Sequence, residues 1–256
     1  MKLNLSFKNY AKYYDFIYQG KNYNIECNFI EEIFETTKKP KNILELGCGT
    51  GNYTKILLER GYKVTAIDIS GEMLEIAREK CSTKFLEGDI RTIKIDDKFD
   101  CCLAMFAVMG YITKNRDIKK TLINIRKHLK TNGIFIFDVW NGLSVMRTLP
   151  EQRVKIVENN EAKIIRYAIP NLIAFEHICE VNYKLLVLNK KENSYHEINE
   201  KHMMRYYFPQ EIIYYLEESG FEVITIHPFL NLNGKVDENV WNICIVAKAK
   251  GRNQKE

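Results

Sequence analysis

Glu45, Gly47, Gly49, Gly51, Asp68 and Asp89 are the residues whose types and spacing suggest chemistry. The first four lie in Ile43-Leu-Glu-Leu-Gly-Cys-Gly-Thr-Gly-Asn-Tyr-Thr54, an apolar run that feeds a three-glycine turn. Such a turn lets backbone N–H groups approach a ligand with no Cβ in the way. Glu45, two places before the first glycine, argues against a phosphate there. A carboxylate repels phosphate but accepts hydrogen bonds from a cationic or hydroxylated group. Asp68 ends a second apolar run, Tyr62-Lys-Val-Thr-Ala-Ile-Asp-Ile69, where an acid is placed to hold the two hydroxyls of a ribose. Asp89 follows Lys84-Phe-Leu-Glu-Gly88 and could accept a hydrogen bond from an exocyclic amine such as that of adenine. Each signal alone is weak. The glycine turn could be a generic strand-to-helix loop, Asp68 a strand-end acid and Asp89 a turn residue. The ordered set is far more specific than its parts.

The elements that must position these residues alternate along the chain. Strands are expected at Ile43–Leu46, 62–69, 84–90, 98–106 and 134–139, with helices over 23–37, 55–60, 71–80 and 117–129. The run Lys98-Phe-Asp-Cys-Cys-Leu-Ala-Met-Phe106 suits a central strand of a parallel sheet covered on both faces. Thr131-Asn-Gly133 reads as a helix stop. This alternation predicts an α/β fold with a doubly wound, Rossmann-like, seven-stranded and mostly parallel sheet. After Trp140 the pattern changes. Strand-like runs at 153–158, 162–168, 173–181, 184–189 and 196–208 are joined by turns too short for helical crossovers, so they form an antiparallel β insertion after strand five. Pro209 then opens a helix closed by Gly220, and 221–227 and 241–247 form a final antiparallel pair. The expected organisation is a core of 1–140 plus 208–250, an insertion of 150–207 and a frayed tail of 251–256.

Composition excludes several classes. A chain of 256 residues with 46% hydrophobic and 28% charged residues can bury a full core. A net charge of +5 spread along the sequence is not a nucleic-acid footprint. No stretch has membrane-spanning length and 1–10 holds no signal-type apolar run. The seven scattered cysteines form no Cys-x-x-Cys pair, which reads as free thiols in the cytoplasm. The five histidines show no metal-ligand spacing, so no metal site is expected.

These motifs resemble those of the class I S-adenosylmethionine-dependent methyltransferases, strongly over 10–140 and loosely beyond. Glu45-Leu-Gly-Cys-Gly-Thr-Gly51 is similar to that family's first motif, Ile67-Asp-Ile-Ser70 to its second and Gly88-Asp-Ile90 to its third. The resemblance implies S-adenosylmethionine as cofactor. Its methionine part would lie over the turn of Glu45, Gly47, Cys48, Gly49 and Gly51, beside Met105. Asp68 would hold the ribose and Asp89 the adenine amine, with Ile69, Met73 and Ile90 around the ring. A nicotinamide dehydrogenase shares the strand–glycine–acid logic but does not need the Gly-Asp of the third strand.

A sulfonium methyl is already an activated electrophile, so the protein mainly holds the nucleophile in line and excludes water. The segment 3–20 is dense in Phe7, Tyr10, Tyr13, Tyr14, Phe16, Ile17 and Tyr18. Helix-capping residues at half-wet positions explain most of these. Tyr13-Tyr-Asp-Phe-Ile-Tyr18 is also similar to a segment that covers the cofactor in many small-molecule methyltransferases. Tyr14 and Tyr111 are therefore the candidate catalytic residues, both read as positioning the acceptor, with packing beneath a lid as the alternative for Tyr111. Met105-Phe-Ala-Val-Met-Gly-Tyr111 lacks the Asn/Asp-Pro-Pro-Tyr tetrad of base and glutamine-amide methyltransferases. A finer resemblance, carried by Tyr14-Asp-Phe-Ile-Tyr-Gln-Gly20, the Met-Gly-Tyr111 loop and the insertion, is to the N,N-dimethyltransferases of nucleotide-linked amino sugars. It implies a small-molecule acceptor, an insertion that covers it and a homodimer. Where that subgroup often has histidine, this chain has Tyr111, which puts a histidine general base in doubt. An RNA or protein methyltransferase, and a cofactor-binding protein without transfer activity, stay open as alternatives.

Overall fold

In the computed structural model, residues 10–251 are described; Phe7 and 252–256 lie outside them. The central sheet contains β1 (Asn42–Leu46), β2 (Lys63–Asp68), β3 (Lys84–Glu87), β4 (Phe99–Ala104), β5 (Leu129–Trp140), β10 (Phe221–Pro228) and β11 (Asn242–Ala249) in the order β10-β11-β5-β4-β1-β2-β3. β1 to β5 run parallel, and β11 is antiparallel to both β5 and β10. The chain therefore winds outward from β1 in one direction, then returns to β4 on its other side. Ligands in such sheets bind outside the carboxyl ends of the strands at this reversal, which is where the glycine turn follows β1.

The buried apolar stripes of the helices cover both sheet faces. α2 (Tyr23–Thr36) and α3 (Asn52–Glu59) pack on one face with α4 (Gly71–Lys80), and α5 (Asn115–His128) and α7 (Pro209–Glu218) pack on the other. β4 is apolar and buried on both sides, so Cys101 and Cys102 enter different clusters on opposite faces, as a pleated strand requires.

Two expectations change in detail. Thr131–Gly133 is not a helix stop: α5 ends at His128 and these residues belong to β5. Asn132 takes φ 61°, and the β4–β5 ladder slips between Phe99↔Leu129 and Cys101↔Ile134, so the turn residues form a bulge. The insertion has four long strands, not five: β6 (Arg153–Glu158), β7 (Ala162–Ile173), β8 (Ile178–Asn189) and β9 (Ser194–Arg205), in that spatial order. The apolar–polar alternation of 174–179 passes through a turn, marked by a 3-10 helix at Ala174–Glu176 and His177 at φ 56°. Asn171 and Asn182 do not interrupt their strands. Pro170 is tolerated because it lies beyond the last β6 pairing, Arg153↔Ala168, where β7 is an edge. A short helix α6 (Gly142–Thr148) links β5 to this sheet.

Candidate active site

The first strand delivers the glycine turn. Gly47, Gly49 and Gly51 all have positive φ, from 54° to 75°, a region open to glycine and strained for other residues. At Gly47 a Cβ would also meet Val108 at 2.7 Å, so the turn lies against the loop that follows β4. Asp68 ties this turn to the second strand. Its Oδ2 accepts from the Gly49 amide at 2.7 Å and its Oδ1 from the Ser70 amide at 2.9 Å. A carboxylate has about four acceptor positions, so both oxygens keep capacity for ligand hydroxyls. Ser70 caps α4 by accepting from the Met73 amide, which fixes Ile69 and Met73 at the end of β2. Burial pushes the Asp68 carboxyl upward against the pull of those amides.

Glu45 points inward. It is 2% exposed, and its Oε2 accepts from the Thr54 hydroxyl at 2.5 Å. Burial raises its pKa to about 8. Cys48 and Met105 are also buried, and burial raises the Cys48 thiol, keeping it protonated. At the third strand, the Gly88 amide donates to the Asp68 carbonyl at 2.8 Å, placing Asp89 and Ile90 beside the second motif. Asp89 is held by Arg91, whose Nε lies 2.9 and 2.8 Å from its two oxygens; Arg91 also reaches Asp117. Burial raises the Asp89 pKa, but the Arg91 hydrogen bonds outweigh it, so the net shift is downward. The Arg91 clamp is a feature the sequence reading missed.

α1 (Ala11–Ile17) bridges this half to the insertion. Asp15 accepts from Thr50 Oγ1 at 2.7 Å and Asn52 Nδ2 at 3.0 Å, and pairs with Lys80 at 2.6 Å. α1 is thereby fastened across the glycine turn. Tyr14 of this helix meets Tyr10 edge to face and Tyr18 at a tilt, with ring centroids 6.1 and 4.7 Å apart. Tyr18 meets Phe106, and Tyr10 meets Tyr183 of β8. Burial raises the Tyr14 phenol well above its usual value, with Tyr23, Tyr18 and Tyr111 adding to the effect.

The loop after β4 carries Tyr111 on a 3-10 helix at Val108–Tyr111. Phe106 and Ala107 both have positive φ, 68° and 58°, costly for residues with a Cβ. Asp138 of β5 holds this geometry by accepting from the Ala107 amide at 3.0 and 3.1 Å. Burial raises Asp138 to about 6. The Tyr111 hydroxyl lies 2.8 Å from Nδ1 of His202, whose Nε2 lies 3.1 Å from Oε2 of Glu200. The other oxygen of Glu200 accepts from the Tyr10 amide at 3.1 Å. Burial raises the Tyr111 phenol well above its usual value, so at neutral pH the hydroxyl is a hydrogen-bonding group and not a phenolate.

Tyr14 and Tyr111 thus pack in adjoining aromatic clusters joined through Tyr183, between α1, the loop after β4 and the inner face of the second sheet. Asp138, Glu200, His202 and Asp15 were missed by sequence reasoning. Asp138 left a local signal as an acid within the apolar run Ile134-Phe-Ile-Phe-Asp-Val139, and Asp15 lies within the segment Tyr13-Tyr-Asp-Phe-Ile-Tyr18. Glu200 and His202 share one face of β9 by their spacing of two, but nothing local ties them to Tyr111.

A groove of about 940 Å³ is lined by Lys94 and Lys98 of the β3–β4 connection, by Lys119, Lys120 and Lys127 of α5 and by Tyr214, Tyr215 and Glu218 of α7. Its lining includes none of the predicted site residues. Among the described residues no helix is long and apolar enough to cross a membrane, and no group of three or more His, Cys, Asp or Glu could hold a metal ion.

Residues 43–133 match a family described as a methyltransferase domain. The putative methyltransferase YqeM of Bacillus subtilis (strain 168) is 31% identical over 150 residues, covering 57% of this chain and 60% of that relative. The dTDP-3-amino-3,4,6-trideoxy-alpha-D-glucopyranose N,N-dimethyltransferase of Streptomyces venezuelae is 25% identical over 136 residues, covering 52% and 57%. The match thus spans less than two thirds of both relatives. A crystal structure of an S-adenosylmethionine-dependent methyltransferase from Clostridium acetobutylicum ATCC 824 superposes with a TM-score of 0.80 at 24% identity, covering 96% of this chain and 99% of that one; this likeness speaks to the fold. The fold is the Rossmann-like methyltransferase fold. Residues 43–133 thus carry the methyltransferase-domain match, and the fold around them is that of S-adenosylmethionine-dependent methyltransferases.

Proposed function

We propose that this chain transfers a methyl group from S-adenosylmethionine to a small polar metabolite, an amine of a nucleotide-linked sugar. The observation that carries this reading is the aromatic cluster of Tyr14, Tyr111, Tyr183 and His202, which we read as the wall of an acceptor chamber. The chain's similarity to amino-sugar N,N-dimethyltransferases over about half its length supports the acceptor class.

In this reading the turn of Gly47, Cys48, Gly49 and Gly51 cradles the methionine part of the cofactor beside Glu45 and Met105. Asp68 takes the ribose hydroxyls, and Asp89, Ile69, Met73 and Ile90 take the adenine. The cofactor supplies the activated methyl. The protein holds the acceptor nitrogen in line with the methyl–sulfur bond and keeps water out. The Tyr14 and Tyr111 hydroxyls hold the acceptor while their rings stay against the methyl. His202 and Glu200 orient the Tyr111 hydroxyl from the opposite side. Residues 150–207 act as the substrate cover and as the platform for a homodimer.

The test is to incubate the protein with methyl-labelled cofactor and pools of amino sugar nucleotides, other small amines and RNA, then identify labelled products by mass. Label on an amino sugar nucleotide is the expected result. Label confined to RNA or protein, or no transfer despite cofactor binding, would overturn it.

A further inference from the structure

The inner face of the second sheet, buried and apolar at Val157, Ile164, Leu185 and Ile198, carries two cations where a covered sheet face is ordinarily apolar. Lys155 of β6 and Arg166 of β7 stand directly opposite each other in the ladder and are only partly exposed. On the other face of β6, Val154 and Ile156 are 52% and 56% exposed. Lys155 and Arg166 thus share the inner face with buried Val157, Ile164 and Leu185. Like charges opposite one another on neighbouring strands destabilise the pairing, so this arrangement needs a compensating partner.

The protein supplies that partner only in part. Arg166 Nη1 donates to Tyr18 Oη at 3.0 Å and Tyr10 Oη at 3.3 Å, and the guanidinium lies 5.5 Å from the Tyr18 ring and 5.3 Å from that of Tyr183. The Lys155 ammonium lies 5.3 Å from the Tyr18 ring. Arg166 Nε is buried and makes no hydrogen bond. Among the described residues, neither cation forms an ion pair with a carboxylate. Burial and then Arg166 push the Lys155 pKa down, the direction expected of a cation without counter-charge. Two cations, a buried unused N–H and two phenol hydroxyls therefore converge beside the aromatic clusters that hold Tyr14 and Tyr111.

We propose that Lys155 and Arg166, with the Tyr18 hydroxyl, bind a phosphoryl group carried by the methyl acceptor. A single carboxylate would leave one of the two cations uncompensated. A phosphoryl group offers a second charge and further acceptor oxygens, matching a guanidinium fork beside an ammonium. This inference rests on the reading of the chamber as the acceptor site and names the group by which the acceptor is held.

The test is calorimetric titration of the protein saturated with S-adenosylhomocysteine, using inorganic pyrophosphate, thymidine diphosphate and acetate as probes. Pyrophosphate and thymidine diphosphate bind in the expected result, and acetate does not. Lys155→Gln and Arg166→Gln each weaken that binding by about tenfold to a hundredfold, with S-adenosylhomocysteine affinity unchanged. Tighter binding of thymidine diphosphate than of pyrophosphate assigns a nucleotide-linked acceptor, and equal binding a simpler phosphorylated metabolite; both keep the proposal. Absence of pyrophosphate binding in the wild type, or unchanged binding in Lys155→Gln, would overturn it. Lys155 lies on the edge strand, so that variant decides the matter even if Arg166→Gln fails to fold. A protein that binds pyrophosphate but not S-adenosylhomocysteine would instead fail the cofactor reading and leave the cation pair standing.

Discussion

The two sheets hold polar groups in different ways. At the carboxyl ends of β1 and β2, backbone groups of the adjoining loops fix Asp68, through the Gly49 and Ser70 amides, and Gly88, through the Asp68 carbonyl. On the second sheet, His202, Glu200 and Arg166 are fixed by side chains and amides far away in sequence, those of Tyr111, Tyr10 and Tyr18. The first arrangement suits a group that is the same for every member of the class. The second can be rebuilt one side chain at a time, as recognition of different acceptors requires. The comparison predicts that changes at the first sheet alter cofactor affinity and changes at the second alter transfer.

The most severe way to break this division is to replace 150–207 with a short linker. Transfer of label should be abolished while S-adenosylhomocysteine still binds. Retained activity would mean that the insertion neither covers nor holds the acceptor.

Point changes sharpen the same contrast. Asp68→Ala should weaken cofactor binding by about 1–3 kcal/mol, the cost of leaving ligand hydroxyls unpaired, as read by calorimetry. Tyr111→Ala should lower turnover more than Tyr111→Phe, because it also removes packing from the chamber. Tyr111→Phe should be modest, with cofactor affinity unchanged. Steady-state kinetics that show complete loss in Tyr111→Phe would assign the hydroxyl essential proton chemistry and refute the positioning account.

Glu45 gives a pH test of the first sheet. In the folded protein its carboxyl holds a proton up to about pH 8, against an ordinary value of 4.5. Between these values the folded state binds more protons than the unfolded state, so this group's contribution to stability falls as pH rises. Glu45→Gln should remove that slope and gain relative stability between about pH 5 and pH 8. Parallel melting curves of the two proteins across this window would contradict the burial of this carboxyl. Glu75→Ala, on the exposed side of α4, should change least of all.

The same division decides what was legible in the sequence. The parallel sheet, the glycine turn and the strand-end acids are local patterns, with strand, turn and helix contiguous, and the central sheet follows them closely. The insertion was legible as antiparallel, but its strand ends were not. Apolar–polar alternation does not distinguish a continuing strand from the tight turn at Ala174–Glu176, and polar Asn171 and Asn182 sit within strands. The Tyr111–His202 contact joins residues 91 positions apart. No spacing rule reaches that far, and only the docking of the second sheet on the loop after β4 creates it. Nothing local in the sequence ties Lys155 to Arg166; the β6–β7 ladder places them opposite each other.

Calorimetric titration of S-adenosylhomocysteine into Asp68→Ala and Arg166→Gln, side by side with the wild type, tests the division most directly. The account predicts one site per chain in the wild type, affinity weakened by about 1–3 kcal/mol in Asp68→Ala, and wild-type affinity in Arg166→Gln. Equal losses in the two variants, or no binding to the wild type, would contradict it.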